Sequence, residues 1–355
     1  MDSLLSPISA LEFAEAVRSV PHAIAVGAGT KPRLSHVPEK FTRISTAKLR
    51  GIVEYEPSEF TFTALAGTPV QEIVTALAER GQYLPFDPLL VAEGATVGGM
   101  VAAGLSGPGR FRFGGLRDFI LAVQFVDGSG RLLRLGGKVV KNAAGFDLPK
   151  FLVGSVGRFG ALTEVTFKVF PKPIATRTLR IEAKDSAAKA RMLSEAGSAR
   201  WEIDALEAAV DDDAIFARLA GPAVALEALS AEIFQRWPGA ILAETEAAAL
   251  WKKTGGLIWA HPDGGLAKVV LSPAQAATFI DWVRALPGAR GWVSAGGNLG
   301  FVSVAKGSAL PELPWSAMTL RGEAPLWPGV KPRFEIMAAL KKALDPLNRF
   351  PHLDD

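Results

Sequence analysis

Glycine supplies eight of the twenty-two residues from Gly94 to Gly115, in the run GATVGGMVAAGLSGPGRFRFGG. A stretch this poor in large side chains buries little apolar surface and cannot nucleate a core. What it presents is backbone N–H groups that another group can approach closely, because no Cβ stands in the way. Thr96 is suited to cap a short helix starting at Val97, whose first amides would point unsatisfied at whatever lies beyond. A phosphate meets that description. So does a glycine-rich surface loop without a ligand, and the stretch alone leaves both open.

At 355 residues the chain is long enough for two domains, or for one large domain with an appended lobe. Hydrophobic residues make up 49% and charged residues 21%, a globular balance with material for a sizeable core. The formal net charge of +3 comes with no block of like charges and no basic stripe interleaved with aromatics, so nucleic acid is not an expected partner. No apolar run approaches the roughly 18 residues of a membrane span, and no signal-peptide pattern is present. A soluble cytoplasmic protein is expected, with any membrane contact peripheral and made through partners. Cysteine is absent, which excludes disulfides, cysteine-ligated zinc or iron–sulfur sites and a cysteine nucleophile. The four histidines, His22, His36, His261 and His352, include no pair at the i, i+4 spacing of a helical metal site, and no metal is expected.

Along the chain, Ser9 and Glu12 read as a capping box for a helix over residues 10–20. His22–Val26 is a short apolar strand that stops at Gly27-Ala28-Gly29-Thr30-Lys31-Pro32. Pro32 stands where a Rossmann fingerprint needs its third glycine, so that mode of dinucleotide binding is disfavoured, while close approach of backbone to a phosphate is not. Residues 51–56 and 60–65 read as paired strands. Thr68-Pro69-Val70-Gln71 starts a helix, with Thr68 as the cap. Beyond the glycine-rich centre, 119–126 and 131–135 flank a hairpin turn at Asp127–Gly130. A helix is expected over 142–153, then an alternating strand through Val165, Phe167 and Val169. After a boundary at 171–176 come helices near 222–236, 245–253 and 273–285, and strands at 257–260, 266–271, 291–294 and 299–304. This is an α+β lobe with helices against a mainly antiparallel sheet. Phe334, Met337, Leu340 and Leu344 then form the face of a last helix.

The three glycine stretches before residue 165 each lie at a strand or helix end, where backbone donors are free. Two such loops could grip the diphosphate of a large nucleotide cofactor from opposite sides. Lys138 does not belong to a P-loop, since Leu132 and Val139 occupy positions that need Gly and Ser or Thr. The run 95–115, together with Lys141–Leu148 and Gly154–Glu164, closely resembles the FAD-binding domain of the vanillyl-alcohol-oxidase, or PCMH, type, over about residues 10–173. In length and motif set the chain is similar to the FAD-binding E subunits of bacterial glycolate oxidases. The resemblance implies an α+β fold: a two-subdomain FAD-binding domain (1–173), a smaller α+β cap (174–333), and a C-terminal helix and tail (334–355) returning to the flavin domain. It implies that Gly27, Ala28, Gly29, Thr30 and Lys31 meet the FAD diphosphate and that Asp87 and Pro88 lie near the cofactor. Thr96, Val97, Gly98, Gly99, Ala102 and Gly104 would line diphosphate, ribitol and ring, with Gly157, Gly160, Ala161 and Leu162 on the cofactor's other side.

Two departures matter. Many relatives carry an acidic residue where Val156 stands, and members with covalently attached flavin have a histidine in the first glycine loop, which here reads Gly-Ala-Gly-Thr-Lys. FAD is therefore expected to be noncovalent, with His36 an ordinary surface residue. Related hydroxy-acid dehydrogenases also place a histidine-rich motif in the second lobe, where this chain has only His261, in an apparent turn. Oxidation of a 2-hydroxy acid needs a base, a cationic grip on the carboxylate and a flavin hydride acceptor. Of these the motifs supply only the last, so no catalytic residue is assigned. Arg110, Arg112 and Lys138 could bind anions or be solvated surface charge. Three readings follow. The first is a flavin subunit of a glycolate oxidase acting with a homologous catalytic flavin subunit and an iron–sulfur subunit. The others are a stand-alone FAD-dependent dehydrogenase of 2-hydroxy acids such as D-lactate, and a structural subunit with a degenerate site.

Overall fold

A computed structural model describes residues 4–137, 148–331 and 334–354. Lys138 and residues 141–147 of the second motif lie outside them, as does most of the helix expected over 142–153; Leu148–Leu152 is a short 3-10 turn.

The chain opens with α1 (Ala10–Ser19), whose Phe13, Ala14 and Val17 are buried. The Ser9 hydroxyl accepts from the Glu12 amide at 3.2 Å, and the Glu12 carboxylate accepts from Ile8, one residue earlier than in a standard capping box. Strands β1 (Ala23–Val26) and β2 (Thr42–Ser45) pair in parallel. Next come β3 (Ile52–Glu56), β4 (Thr61–Leu65), α2 (Val70–Ala78), β5 (Gln82–Tyr83), α3 (Val97–Ala103) and α4 (Arg110–Phe113). Strands β6 (Ile120–Val126), β7 (Leu132–Gly136), β8 (Ala161–Lys168) and β9 (Phe170–Pro171) complete the first lobe. A five-stranded antiparallel sheet in the order β3-β4-β8-β6-β7 forms its body, and β5 pairs with β9. Thr68 does not cap α2. Pro69 occupies the cap position, and the Thr68 hydroxyl instead bonds both the amide and the carbonyl of Gly51 at 2.9 and 3.1 Å, tying the helix start to the neighbouring loop.

The second lobe contains β10 (Ala175–Glu182), α5 (Ser186–Ser198), β11 (Ile203–Ala209), β12 (Ala214–Gly221), α6 (Ala223–Arg236), β13 (Gly239–Ile241) and α7 (Glu244–Gly255). It continues with β14 (Gly265–Val270), α8 (Ala276–Arg284), β15 (Arg290–Ser294), β16 (Leu299–Val304) and β17 (Ala317–Arg321). All eight strands join one antiparallel sheet, in the order β13-β10-β12-β11-β15-β16-β14-β17. Residues 257–260 are not the expected strand. Leu257 takes a left-handed φ of 52°, and Ile258 and Ala260 bond back to Lys253 and Leu257, so the apolar run is a core-facing turn after the Gly255-Gly256 helix end. His261 therefore follows a turn rather than a strand.

One face of the large sheet carries α5, α6 and α8 over a core that includes Leu206, Val293 and Phe279. Its other face joins the first lobe: Trp292, Phe301 and Met318 belong to the same buried cluster as Val97, Met100 and Phe119. The last helix, α9 (Phe334–Leu344), returns the chain to the first lobe. Buried Lys341 donates to Asp345 at 2.6 Å and to the Arg158 carbonyl at 2.8 Å, while the Leu344 carbonyl accepts from Gly128. A Cβ on Gly128 would stand 1.9 Å from the Asp345 carboxylate, so the hairpin turn must be glycine to receive the C-terminal segment.

Candidate functional site

A run of unused backbone donors lies where β1 ends. Strand pairing stops at Val26, and among the described residues no hydrogen bond engages the amides of Ala28, Gly29, Thr30 or Lys31. Gly29 adopts φ 71°, turning the loop so that successive N–H groups face one hollow. Across from it lies α3, and a third wall comes from residues 155–162, where the Gly157 amide is likewise unengaged. The cavity between them encloses about 100 Å³. That is below the 300–1,000 Å³ of a site that swallows a drug-sized ligand, and suits one anionic segment of a longer molecule.

Lys31 gives the hollow its charge. It is buried, and among the described residues its ammonium has only the Thr30 hydroxyl, at 2.8 Å, as a partner. Burial without a counter-charge lowers its pKa to about 8. An ammonium held this way beside free amides is deficient in negative charge, and a diphosphate would supply it. The donor set therefore fits that group.

The hollow brings together Gly27, Ala28, Gly29, Thr30, Lys31, Thr96, Gly98, Gly99, Ala102, Gly157, Gly160, Ala161 and Leu162. Four residues from the expected set sit elsewhere. Val97 is fully buried in the core. Gly104 ends α3 with φ 59°, and a Cβ there would meet Gly154 at 2.9 Å. Asp87 and Pro88 line a separate cleft, where the Asp87 carboxylate accepts from Gly109 and pairs with Arg218 of β12. The expectation of free amides at the start of α3 is also corrected. Val97 donates to the Thr68 carbonyl, Gly98 to Ala66 at 2.7 Å, and Gly99 to the Thr96 hydroxyl at 3.3 Å, so the first turn is satisfied internally. The helix contributes close approach, and the donors come from the 27–31 loop.

The glycine run therefore divides. Gly98 and Gly99 face the hollow. Gly107 and Gly109 serve packing, since a Cβ on either would come within 2.3 Å of the Asp87 or Pro85 carbonyl. Sequence reasoning also missed Arg158. Its buried guanidinium donates to the carbonyls of Leu34 and Val156, and its own carbonyl accepts from Lys341, joining the Pro32–Ser35 turn, the 155–160 loop and the C-terminal segment. An isolated arginine among glycines carries no periodic signal that would mark it.

The other charged candidates are structural. Arg112 pairs with Glu202 at 2.7 Å. His36 is exposed. His261 bonds the Gly288 carbonyl. Between the lobes, Trp259, Trp292 and Phe301 close on Ser106–Pro108 and leave about 10 Å³, the space of one water. Glu207 lies fully buried there and accepts from Trp292 Nε1, Ser294 Oγ and the Ala295 amide. Desolvation outweighs those three donors and raises its carboxyl to about 7.

Comparison with known proteins fits this geometry. Residues 4–136 match the family described as FAD binding domain. The glycolate oxidase subunit GlcE of Escherichia coli K12 is 43% identical over 175 residues, 48% of either chain. The subunit GlcD of Bacillus subtilis 168 is 31% identical over 144 residues, 41% of this chain and 30% of that one. A D-lactate dehydrogenase of Archaeoglobus fulgidus is 33% identical over 163 residues, 46% of this chain and 36% of that one. The chain thus spans about half or less of the length of these curated relatives. An alkyldihydroxyacetonephosphate synthase structure superposes over 98% of this chain and 75% of its own at a TM-score of 0.67; at 17% identity this speaks for a shared fold. The match over residues 4–136 assigns FAD as the cofactor. Among the described residues no helix is long and apolar enough to cross a membrane.

Proposed function

We propose that the chain is the FAD-binding subunit of a multisubunit glycolate oxidase, working with a homologous flavin subunit and an iron–sulfur subunit to turn glycolate into glyoxylate. The observation that carries the flavin site is Lys31, an ammonium with no counter-anion among the described residues, set among the unengaged amides of residues 28–31. Gly27 to Lys31 hold the diphosphate on one side, Thr96, Gly98, Gly99 and Ala102 pass beneath it, and Gly157 with Gly160 to Leu162 close the other side. Bound FAD supplies a hydride acceptor. The division into 1–173, 174–333 and 334–355 assigns cofactor binding to the first part and the return contact to the last. Similarity to GlcE supports the subunit assignment.

A second reading, a stand-alone dehydrogenase of D-lactate or a similar acid, draws on similarity to D-lactate dehydrogenase. Purified chain loaded with FAD separates the two. Under anaerobic conditions with glycolate or D-lactate, a flavin that stays oxidised supports the subunit reading, and one that bleaches supports the dehydrogenase. Gly99→Trp, whose side chain has no room except in the hollow, should abolish flavin retention; unchanged flavin content would sink the site.

A further inference from the structure

Lys341 of α9 is buried, and its ammonium is surrounded by oxygens. The Asp345 carboxylate accepts from it at 2.6 Å, and the carbonyls of Phe350 and Pro351 accept at 3.0 and 2.9 Å. Asp345, itself fully buried, also accepts from the amides of Arg349 and Phe350. These bonds fold residues 345–351 into a knot around one cation. A further bond leaves the knot: Lys341 donates at 2.8 Å to the carbonyl of Arg158, in the third wall of the 27–31 hollow. The Arg158 guanidinium, buried in turn, donates to the carbonyls of Leu34 and Val156. Leu34 and Val156 both line the hollow.

The backbone at Val156 gives these contacts something to hold. Its φ is 51°, a left-handed conformation that a β-branched side chain resists. A residue keeps such a backbone only where its surroundings over-determine it. Here the Val156 amide donates to the Ala102 carbonyl at 2.9 Å, and its carbonyl accepts from Arg158. We propose that Lys341 is a positioning residue for the cofactor site. Through Arg158 the C-terminal knot acts as a latch, holding Val156 in its left-handed backbone and the 31–35 and 155–162 walls at the spacing that FAD needs. Neither Lys341 nor Asp345 lines the hollow, so their effect on the cofactor is indirect. The proposal rests on the flavin site argued above. Coupling of this kind is reciprocal: a latch that favours bound FAD is itself tightened when FAD binds.

The test combines FAD affinity, from flavin fluorescence quenching at a temperature where each variant is folded, with amide exchange of the FAD-free and FAD-loaded full chain. Lys341→Met should weaken FAD binding by roughly tenfold or more, and Arg158→Met by at least as much. Arg349→Met is the control. Arg349 ties the same segment to α1 through the Val17 carbonyl at 3.0 Å, and neither residue lines the hollow. This variant should lower the melting temperature yet leave FAD affinity within about twofold. Unchanged affinity in Lys341→Met, or equal weakening in Arg349→Met, would overturn the proposal. The exchange measurement does not depend on any variant folding. In the unsubstituted chain FAD should slow the amides of Asp345, Arg349 and Phe350 by roughly tenfold, and those of α6, across the cap sheet, far less. No slowing at residues 345–350, or the same slowing in α6, would overturn it too. Lys31→Met separates the latch from the site it rests on. If Lys31→Met weakens FAD binding and Lys341→Met does not, the latch alone falls. If Lys31→Met leaves affinity unchanged, the site falls and the latch with it.

Discussion

Gly27 stands directly against Thr96: a Cβ on Gly27 would come within 2.7 Å of the Thr96 hydroxyl. The same hydroxyl caps α3 through the Gly99 amide and would meet a Gly99 Cβ at 3.0 Å. One oxygen therefore sets the spacing between the two glycine stretches. Gly27→Val is expected to force the 27–31 loop and α3 apart and to lose most bound flavin, read as flavin absorbance relative to protein after desalting. Thr96→Val keeps the loop's room but removes the cap, at a cost of about 1 kcal/mol in urea unfolding.

Lys31 should dominate cofactor affinity. Lys31→Met is expected to weaken FAD binding by roughly 10- to 100-fold, measured by fluorescence quenching of added FAD, since a charge-assisted contact to phosphate is lost. The dependence on pH has a definite sign. Without cofactor the ammonium releases its proton near pH 8, and a bound diphosphate holds that proton to higher pH. Binding then takes up a proton above pH 8, so affinity should fall as pH rises from 8 to 10. In Lys31→Met that decline should be absent.

Arg218 of the cap sheet bridges Asp87 of the first lobe and Asp204 of β11, with Trp251 stacked on its guanidinium at 5.0 Å. All three charged side chains are largely buried, at 14%, 26% and 4% exposure for Arg218, Asp87 and Asp204. Arg218→Met leaves two carboxylates without their cation and should destabilise the chain by about 3–5 kcal/mol at pH 7. Burial already raises the Asp204 carboxyl above its ordinary range. Lowering the pH should therefore shrink the deficit, because a protonated Asp204 has less need of the cation; a deficit that stays constant would argue against this account.

Glu207 makes a prediction opposite to that of a surface carboxylate. Folded, it holds its proton up to about pH 7; unfolded, it releases it near 4.5. Raising the pH through that window favours the unfolded chain. Relative to Glu207→Gln, the unsubstituted chain should lose about 3 kcal/mol of stability between pH 4.5 and 7.5. Parallel urea titrations of the two proteins at both pH values check it.

Much of the first lobe is legible because its signals are local. The Ser9 and Thr96 caps, the 127–130 hairpin and the stop of β1 at Gly27 depend on residues within a few positions of one another. The second lobe is less so. Ile203–Ala209 and Ala214–Gly221 are rich in alanine and leucine, which favour helix in isolation, yet they form the middle of the cap sheet. Their state is imposed by flanking strands and by the helices packed over them. The run 257–260 fails for the converse reason: Leu257, Trp259 and Ala260 are buried from a turn while Ile258 is exposed.

The sequence by itself determined where the backbone can turn sharply and let another group come close, because glycine's access to left-handed backbone and its missing Cβ are properties of single positions. Tertiary structure alone decided which amides stay free. The amides of α3 are consumed by Ala66, Thr68 and Thr96, and those of residues 28–31 are spared because β2 ends where β1 does. It also decided where charge goes unpaired, leaving Lys31 without an anion among the described residues while Arg218 has two. Pairing between residues more than a hundred positions apart, such as Asp87 and Arg218, depends on how lobes dock, and no local pattern encodes that.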